Sequence, residues 1–215
     1  MRLLLALFIS TTIYALEIIQ KPIDFDANRV ALTKEYIKEH YGLSVDDIKI
    51  IPKIVVIHHT ATDSFEHSFW LFNNQTLPDF RSDISNASSL GVSAHFLVDR
   101  DGTIYQLMDD NIMARHVIGL NYSAIGIENV GGYKSADNLT QEQLEANIKL
   151  VKYLQNRYKT IEYLIGHYEY RDFEDSDLWL EIDDGYRTTK DDPSPRFMKL
   201  LREAVDDLKG SFNRL

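Results

Sequence analysis

Ile54-Val55-Val56-Ile57-His58-His59-Thr60-Ala61-Thr62 is the stretch on which the fold turns. Four consecutive β-branched side chains lose χ1 freedom in a helix and pack well on a pleated surface, so the run reads as a strand over Lys53–His58. A short, continuous apolar run of this kind suits a strand buried on both faces. It ends directly on two histidines, so a buried strand delivers imidazoles at its tip. Successive strand residues face opposite sides, and local sequence leaves open whether His58 or His59 faces a site.

Working outward, Tyr163-Leu164-Ile165-Gly166 ends the same way, on His167. A third run, Ala124–Gly132, puts Ile125 and Ile127 on one face and Gly126 and Glu128 on the other, which leaves Glu128 free to look into a site. Val92–Val98 and Thr103–Leu107 flank Asp101-Gly102 and read as a hairpin. Helices are expected over Asn28–Tyr41 with Gly42 as the stop, and over Ser64–Leu77 with Phe65, Phe69 and Phe72 on one face. Another is expected over Gln141–Tyr158, where Thr140 and Gln143 form a capping box. The last starts at Ser194-Pro195 and presents Phe197, Leu200, Leu201, Ala204 and Leu208 as its apolar face. Asp79–Gly91 reads as a polar loop. The mixture predicts an α/β class, a mixed central β-sheet flanked by helices.

The 215 residues suit one domain with appendages, and a hydrophobic share of 44% is enough for a sizeable core. A formal net charge of −10 argues against nucleic acid or an anionic membrane as partner. Cysteine is absent, so any metal must be held by His, Asp or Glu. Arg2, the apolar run Leu3–Ile9 and Ala15 read as a signal peptide over residues 1–15, with export to the periplasm or beyond and no stable membrane insertion after cleavage. Residues 16–50 read as a lead-in packing on a main domain over 51–210. Nothing in the motifs bears on oligomeric state.

Two imidazoles and a carboxylate, His58, His167 and Asp192, suit a catalytic zinc site, because three protein ligands leave the fourth tetrahedral position open for water. His59 and Asp191 are the adjacent rivals. His40 and His67 lie in polar helical stretches and read as surface or hydrogen-bonded residues. His95 reads as structural within its strand.

Taken together, Val56-Ile57-His58-His59-Thr60, Val92-Ser93-Ala94-His95-Phe96, Asp101-Gly102, Ala114-Arg115-His116, Ile125-Gly126-Ile127-Glu128, Gly166-His167 and Lys190-Asp191-Asp192-Pro193-Ser194-Pro195 resemble the type 2 N-acetylmuramoyl-L-alanine amidase family, which shares its fold with peptidoglycan recognition proteins. The resemblance covers most of residues 50–208. It implies cleavage of the amide between N-acetylmuramic acid and L-alanine in peptidoglycan or muropeptides. It implies Zn2+ on His58, His167 and Asp192, with Glu128 and Lys190 as catalytic residues, and His116 is expected to line the substrate groove. Within that frame zinc acidifies water and polarises the carbonyl. Glu128 moves the proton from water to the leaving amine, and Lys190 offsets the developing negative charge. A non-catalytic peptidoglycan-binding module of the same fold is the alternative.

The chain departs from the family in one place. Between His167 and Asp192 lie 24 residues, where a much shorter connection is usual. Ten acidic and three basic side chains in 169–192 give this segment most of the net charge. A solvated acidic surface loop is the favoured reading. A groove wall with Trp179 stacking on substrate and a calcium loop are the alternatives.

Overall fold

A computed structural model describes residues 16–78, 84, 87–135, 137–205 and 207–211. The expected signal peptide lies outside the described residues, as does part of the expected loop 79–91.

Among the described residues six strands form one sheet in the order β1-β4-β3-β5-β2-β6. They are β1 (Ile19–Gln20), β2 (Ile54–His59), β3 (Phe96–Val98), β4 (Ile104–Gln106), β5 (Ala124–Asn129) and β6 (Tyr163–Gly166). β3, β5, β2 and β6 run parallel to one another, and β3 and β4 pair antiparallel as a hairpin. The expected α/β class with a mixed, helix-flanked sheet is what the chain forms.

Among the described residues four α-helices cover the sheet: α1 (Ala27–Tyr41), α2 (Phe65–Asn73), α3 (Gln141–Arg157) and α4 (Pro195–Glu203). A 3-10 helix, His167–Phe173, follows β6. Local sequence explains their starts. Asp26 and Ser64 cap α1 and α2 through their side chains, Thr140 and Gln143 form the capping box of α3, and Ser194 caps α4 just ahead of Pro195.

Each sheet face carries its own apolar layer. On one, Val55, Ile57, Ile125, Ile127 and Leu164 pack against Leu150 and Leu154 of α3 and Phe197 and Leu201 of α4. On the other, Ile54, Val56, Ala124 and Ile165 pack against Tyr36 and Ile37 of α1 and against Met113, Val117 and Leu120. Burial on both faces is why β2 reads as an unbroken aliphatic run. Each such side chain withdrawn from water contributes about 1.5–3 kcal/mol.

Several expected boundaries move. α2 ends at Asn73 rather than Leu77, because Asn74 is extended and its side-chain amide donates back to the Trp70 carbonyl at 2.8 Å. The strand expected from Val92 begins at Phe96; ahead of it the Ser93 amide donates to the carbonyl of Arg115, outside the sheet. β5 stops at Asn129, short of Gly132. In α4, Met198 is buried and Leu200 exposed, and Leu208 lies past the helix end. Among the described residues no helix is long and apolar enough to cross a membrane.

Candidate active site

Three neighbouring parallel strands end side by side and carry the site. In the β2–β5 register His58 stands opposite Glu128, and in the β2–β6 register Ile57 stands opposite Gly166, so His167 follows level with His58. Paired residues share a sheet face, so Glu128, His58 and His167 emerge on the α1 side at the carboxyl edge of the sheet. That edge is where open α/β sheets bind ligands.

Asp192 arrives from the segment before α4. Its carbonyl accepts from the Tyr168 amide at 3.1 Å, which places its side chain over His167. Nδ1 of His58 lies 3.0 Å from Nδ1 of His167 and 3.4 Å from Asp192 Oδ2, and His167 Nδ1 lies 3.2 Å from the same oxygen. The three residues are the group whose donor atoms converge closely enough to hold a metal ion among the described residues. Zinc with bonds of about 2.0 Å to a tetrahedral donor set has donor–donor edges of about 3.3 Å. Two imidazole nitrogens and a carboxylate oxygen at these separations fit that set.

The protonation states suit it as well. Burial, then the neighbouring His167, brings the His58 imidazole down to about 4, against the opposing pull of Asp192. Burial works against ionising Asp192, but His167 and His58 hold its carboxyl well below the usual range. A neutral His58 and an ionised carboxylate are the forms that ligate.

The rivals separate on burial. Asp192 is buried while Asp191 is exposed. His59 turns from the cluster and packs against Gly132, its Nδ1 accepting from the Ala61 amide at 3.3 Å.

The donors open into a cavity of about 710 Å³, also lined by Glu128, His116 and Lys190. Glu128 is 9% exposed, enclosed but reachable. Tyr36, Arg115 and Tyr186 line the cavity too, and Tyr133, half-exposed, stands at its wall with His67. His67, read from sequence as an ordinary surface residue, is thus both exposed and part of the cavity wall. His95 is structural: its Nδ1 accepts from the Gly126 amide at 2.9 Å and its Nε2 donates to the Ile112 carbonyl at 2.8 Å. Burial lowers its pKa to about 4.

The acidic insertion differs from the solvated loop expected. Asp175, Asp177, Asp183 and Asp184 do face solvent, as does Ile182, but Leu178, Trp179, Leu180 and Glu181 between them are docked. Trp179 lies on Gly119 and stacks on Tyr170 at 6.0 Å between ring centroids, so it is spent on the core rather than offered to substrate. Glu181 is buried against His40, and Tyr186 reaches the cavity. The apolar Leu178-Trp179-Leu180 run is the physical reason, since it buries against the layer beneath α1. No acidic cluster of metal-binding geometry forms in this segment among the described residues.

Arg115 belongs to the Ala114-Arg115-His116 motif, but the sequence assigns it no role. It is 3% exposed, and its guanidinium donates to the carbonyls of Ile84, Ser88 and Leu90 and to the Tyr186 hydroxyl, stapling the cavity wall.

Residues 49–195 match the family described as N-acetylmuramoyl-L-alanine amidase. No curated protein matches the chain. Among solved structures, the chain is similar to the endolysin amidase LysCS from Clostridium intestinale, with a TM-score of 0.49 and 23% identity over 75% of this chain and 87% of that one. It is similar to PGRP-SA of Apis mellifera, with a TM-score of 0.44 and 20% identity over 76% of this chain and 98% of that one. It is also similar to AmiD from E. coli, solved with anhydro-N-acetylmuramic acid-L-Ala-D-γ-Glu-L-Lys, with a TM-score of 0.43 and 25% identity over 63% of this chain and 55% of that one. The family assignment rests on the match over 49–195.

Proposed function

Since the chain belongs to the N-acetylmuramoyl-L-alanine amidase family, we propose that it hydrolyses the amide between N-acetylmuramic acid and L-alanine in peptidoglycan or its muropeptides, with zinc held by His58, His167 and Asp192. The observation that carries this reading is the convergence of those three donors beside Glu128, in one cavity at the carboxyl edge of the sheet.

When bound, zinc supplies Lewis acidity toward the scissile carbonyl and lowers the pKa of water. The chain's own groups do the rest. Glu128, on the strand beside His58, takes a proton from the attacking water and returns it to the leaving L-alanine nitrogen. Lys190, half-buried in the cavity wall, offsets negative charge that develops on the carbonyl oxygen. Cleavage then leaves a lactyl carboxylate on the sugar and a free amine on the stem peptide. Export, supported by Arg2 and the apolar run after it, would bring the enzyme to this substrate.

Purified protein is incubated with muropeptides, with and without a chelator, and products are read by mass spectrometry. Free stem peptide that disappears with chelator and returns with zinc is the expected result. Tight muropeptide binding without cleavage by metal-loaded protein would replace the amidase with a recognition module.

A further inference from the structure

A third imidazole stands behind the donor cluster. With Nδ1 of His58 turned to the cluster, its Nε2 faces the other way, 3.0 Å from Nδ1 of His116. The two rings meet nearly at right angles, 88° apart with centroids at 5.1 Å. On its far side His116 presents Nε2 to the Ala124 carbonyl at 3.4 Å.

The surroundings hold this ring in place. The amides of His116 and Val117 both donate to Asn121 Oδ1, at 2.9 and 2.8 Å, which closes the turn that carries it. Beneath the ring lies Gly126, where a Cβ would come within 2.8 Å of His116 Cγ. The glycine between Ile125 and Ile127 is therefore the floor on which His116 rests.

We propose that His116 is a positioning residue for the metal site, holding His58 in the tautomer and orientation that present Nδ1 as a ligand. The inference rests on the zinc reading of the cluster. A ligating imidazole nitrogen carries no proton, so a metal on Nδ1 requires the His58 ring proton to sit on Nε2. That N–H needs an acceptor, and His116 Nδ1 is the atom at hydrogen-bond distance. His116 accepts there when its own proton is on Nε2, where it donates to the Ala124 carbonyl. One backbone carbonyl on β5 thus sets both tautomers, through two rings, up to the metal position. Ligating histidines ordinarily use a carboxylate, carbonyl or water for this purpose. A neutral imidazole in that role, unlike a carboxylate, adds no negative charge behind the ligands, so the site keeps more positive charge for polarising a carbonyl.

Zinc affinity is measured by chelator competition on the purified full chain and on two variants. His116→Phe keeps a ring over Gly126 but removes the acceptor. His116→Asn places an amide oxygen near the position of Nδ1. Loss of this kind of support typically weakens metal binding by about 10–100-fold. His116→Phe is expected to fall in that range, with His116→Asn recovering most of the loss. Wild-type affinity in folded His116→Phe, or no recovery in His116→Asn, would overturn the proposal. Ring nitrogen chemical shifts of zinc-loaded wild-type protein test it without any variant: protons on Nε2 of both His58 and His116 are expected, and a proton on Nδ1 of His116 would refute it. Failure of the metal reading looks different, because wild-type protein would then bind no stoichiometric zinc.

Discussion

His40 on α1 and Glu181 in the acidic insertion form a buried ion pair, with His40 Nδ1 3.0 Å from both carboxylate oxygens. The other ring nitrogen, Nε2, lies 2.8 Å from the Ala87 carbonyl. Both nitrogens face acceptors, so the imidazolium is the form that satisfies them. Burial alone would lower the His40 pKa, but Glu181 and the Ala87 carbonyl raise it above 6.5. The pair joins the lead-in helix to the segment that carries Tyr186, Lys190 and Asp192.

The sign of the pH dependence follows from that raised value. The pair contributes fully below about pH 6.5, the unfolded value, and its contribution is lost as pH rises through the folded one. His40→Ala leaves Glu181 buried without its partner and should cost about 3–5 kcal/mol at acid pH. Urea unfolding followed from about pH 5 to about pH 9 should show the gap between wild type and variant closing as pH rises. A gap independent of pH would mean that His40 acts by packing alone.

Docking of the insertion predicts an effect at a distant glycine. Gly119 has φ +77, and a Cβ there would come within 2.5 Å of the Trp179 ring. Gly119→Ala therefore meets backbone strain of about 1–3 kcal/mol together with a steric clash. Lower stability and a more quencher-accessible Trp179 are expected. Unchanged Trp179 fluorescence would show that the indole does not depend on this contact.

Legibility in the sequence followed the range of the interactions. β2, β5 and β6 could be read because burial on both faces demands consecutive aliphatic residues, and α3 because its capping box and apolar period are local. The two-residue β1 carries no period to detect, and its pairing with β4 joins residues 86 apart. His40 looks like a polar helix residue because its partner lies 141 positions away. The order of strands, which brings Glu128, His58 and His167 into one row, is written in no single segment. Strand alternation places Gly126 on the same face as Glu128. That it makes room for the His116 ring depends on a loop folding back over β5.

Burial predicts how the two adjacent aspartates separate. Asp192→Ala should abolish stoichiometric zinc binding, because it removes the anionic donor from a buried set of three. Asp191→Ala, at an exposed position, should leave metal content unchanged. Metal analysis of the two purified variants distinguishes them, and equal zinc content would move the ligand elsewhere.

Glu128 and His58 stand opposite each other in parallel register, but their substitutions should have unlike consequences. His58→Ala removes a metal donor, so metal and activity should vanish together. Glu128→Gln keeps the shape of the side chain and all three donors, so zinc content and fold should survive. What the amide cannot do is take a proton from water and return it to a leaving amine. General acid–base catalysis typically contributes about 10²–10⁴-fold, and kcat for muropeptide cleavage should fall by that factor. Because the glutamate is asked to act on the reaction and not on binding, KM should change little by comparison. Steady-state kinetics of the zinc-loaded variant decide the matter. A loss confined to KM would make Glu128 a substrate-binding group, and wild-type kcat would remove it from the chemistry.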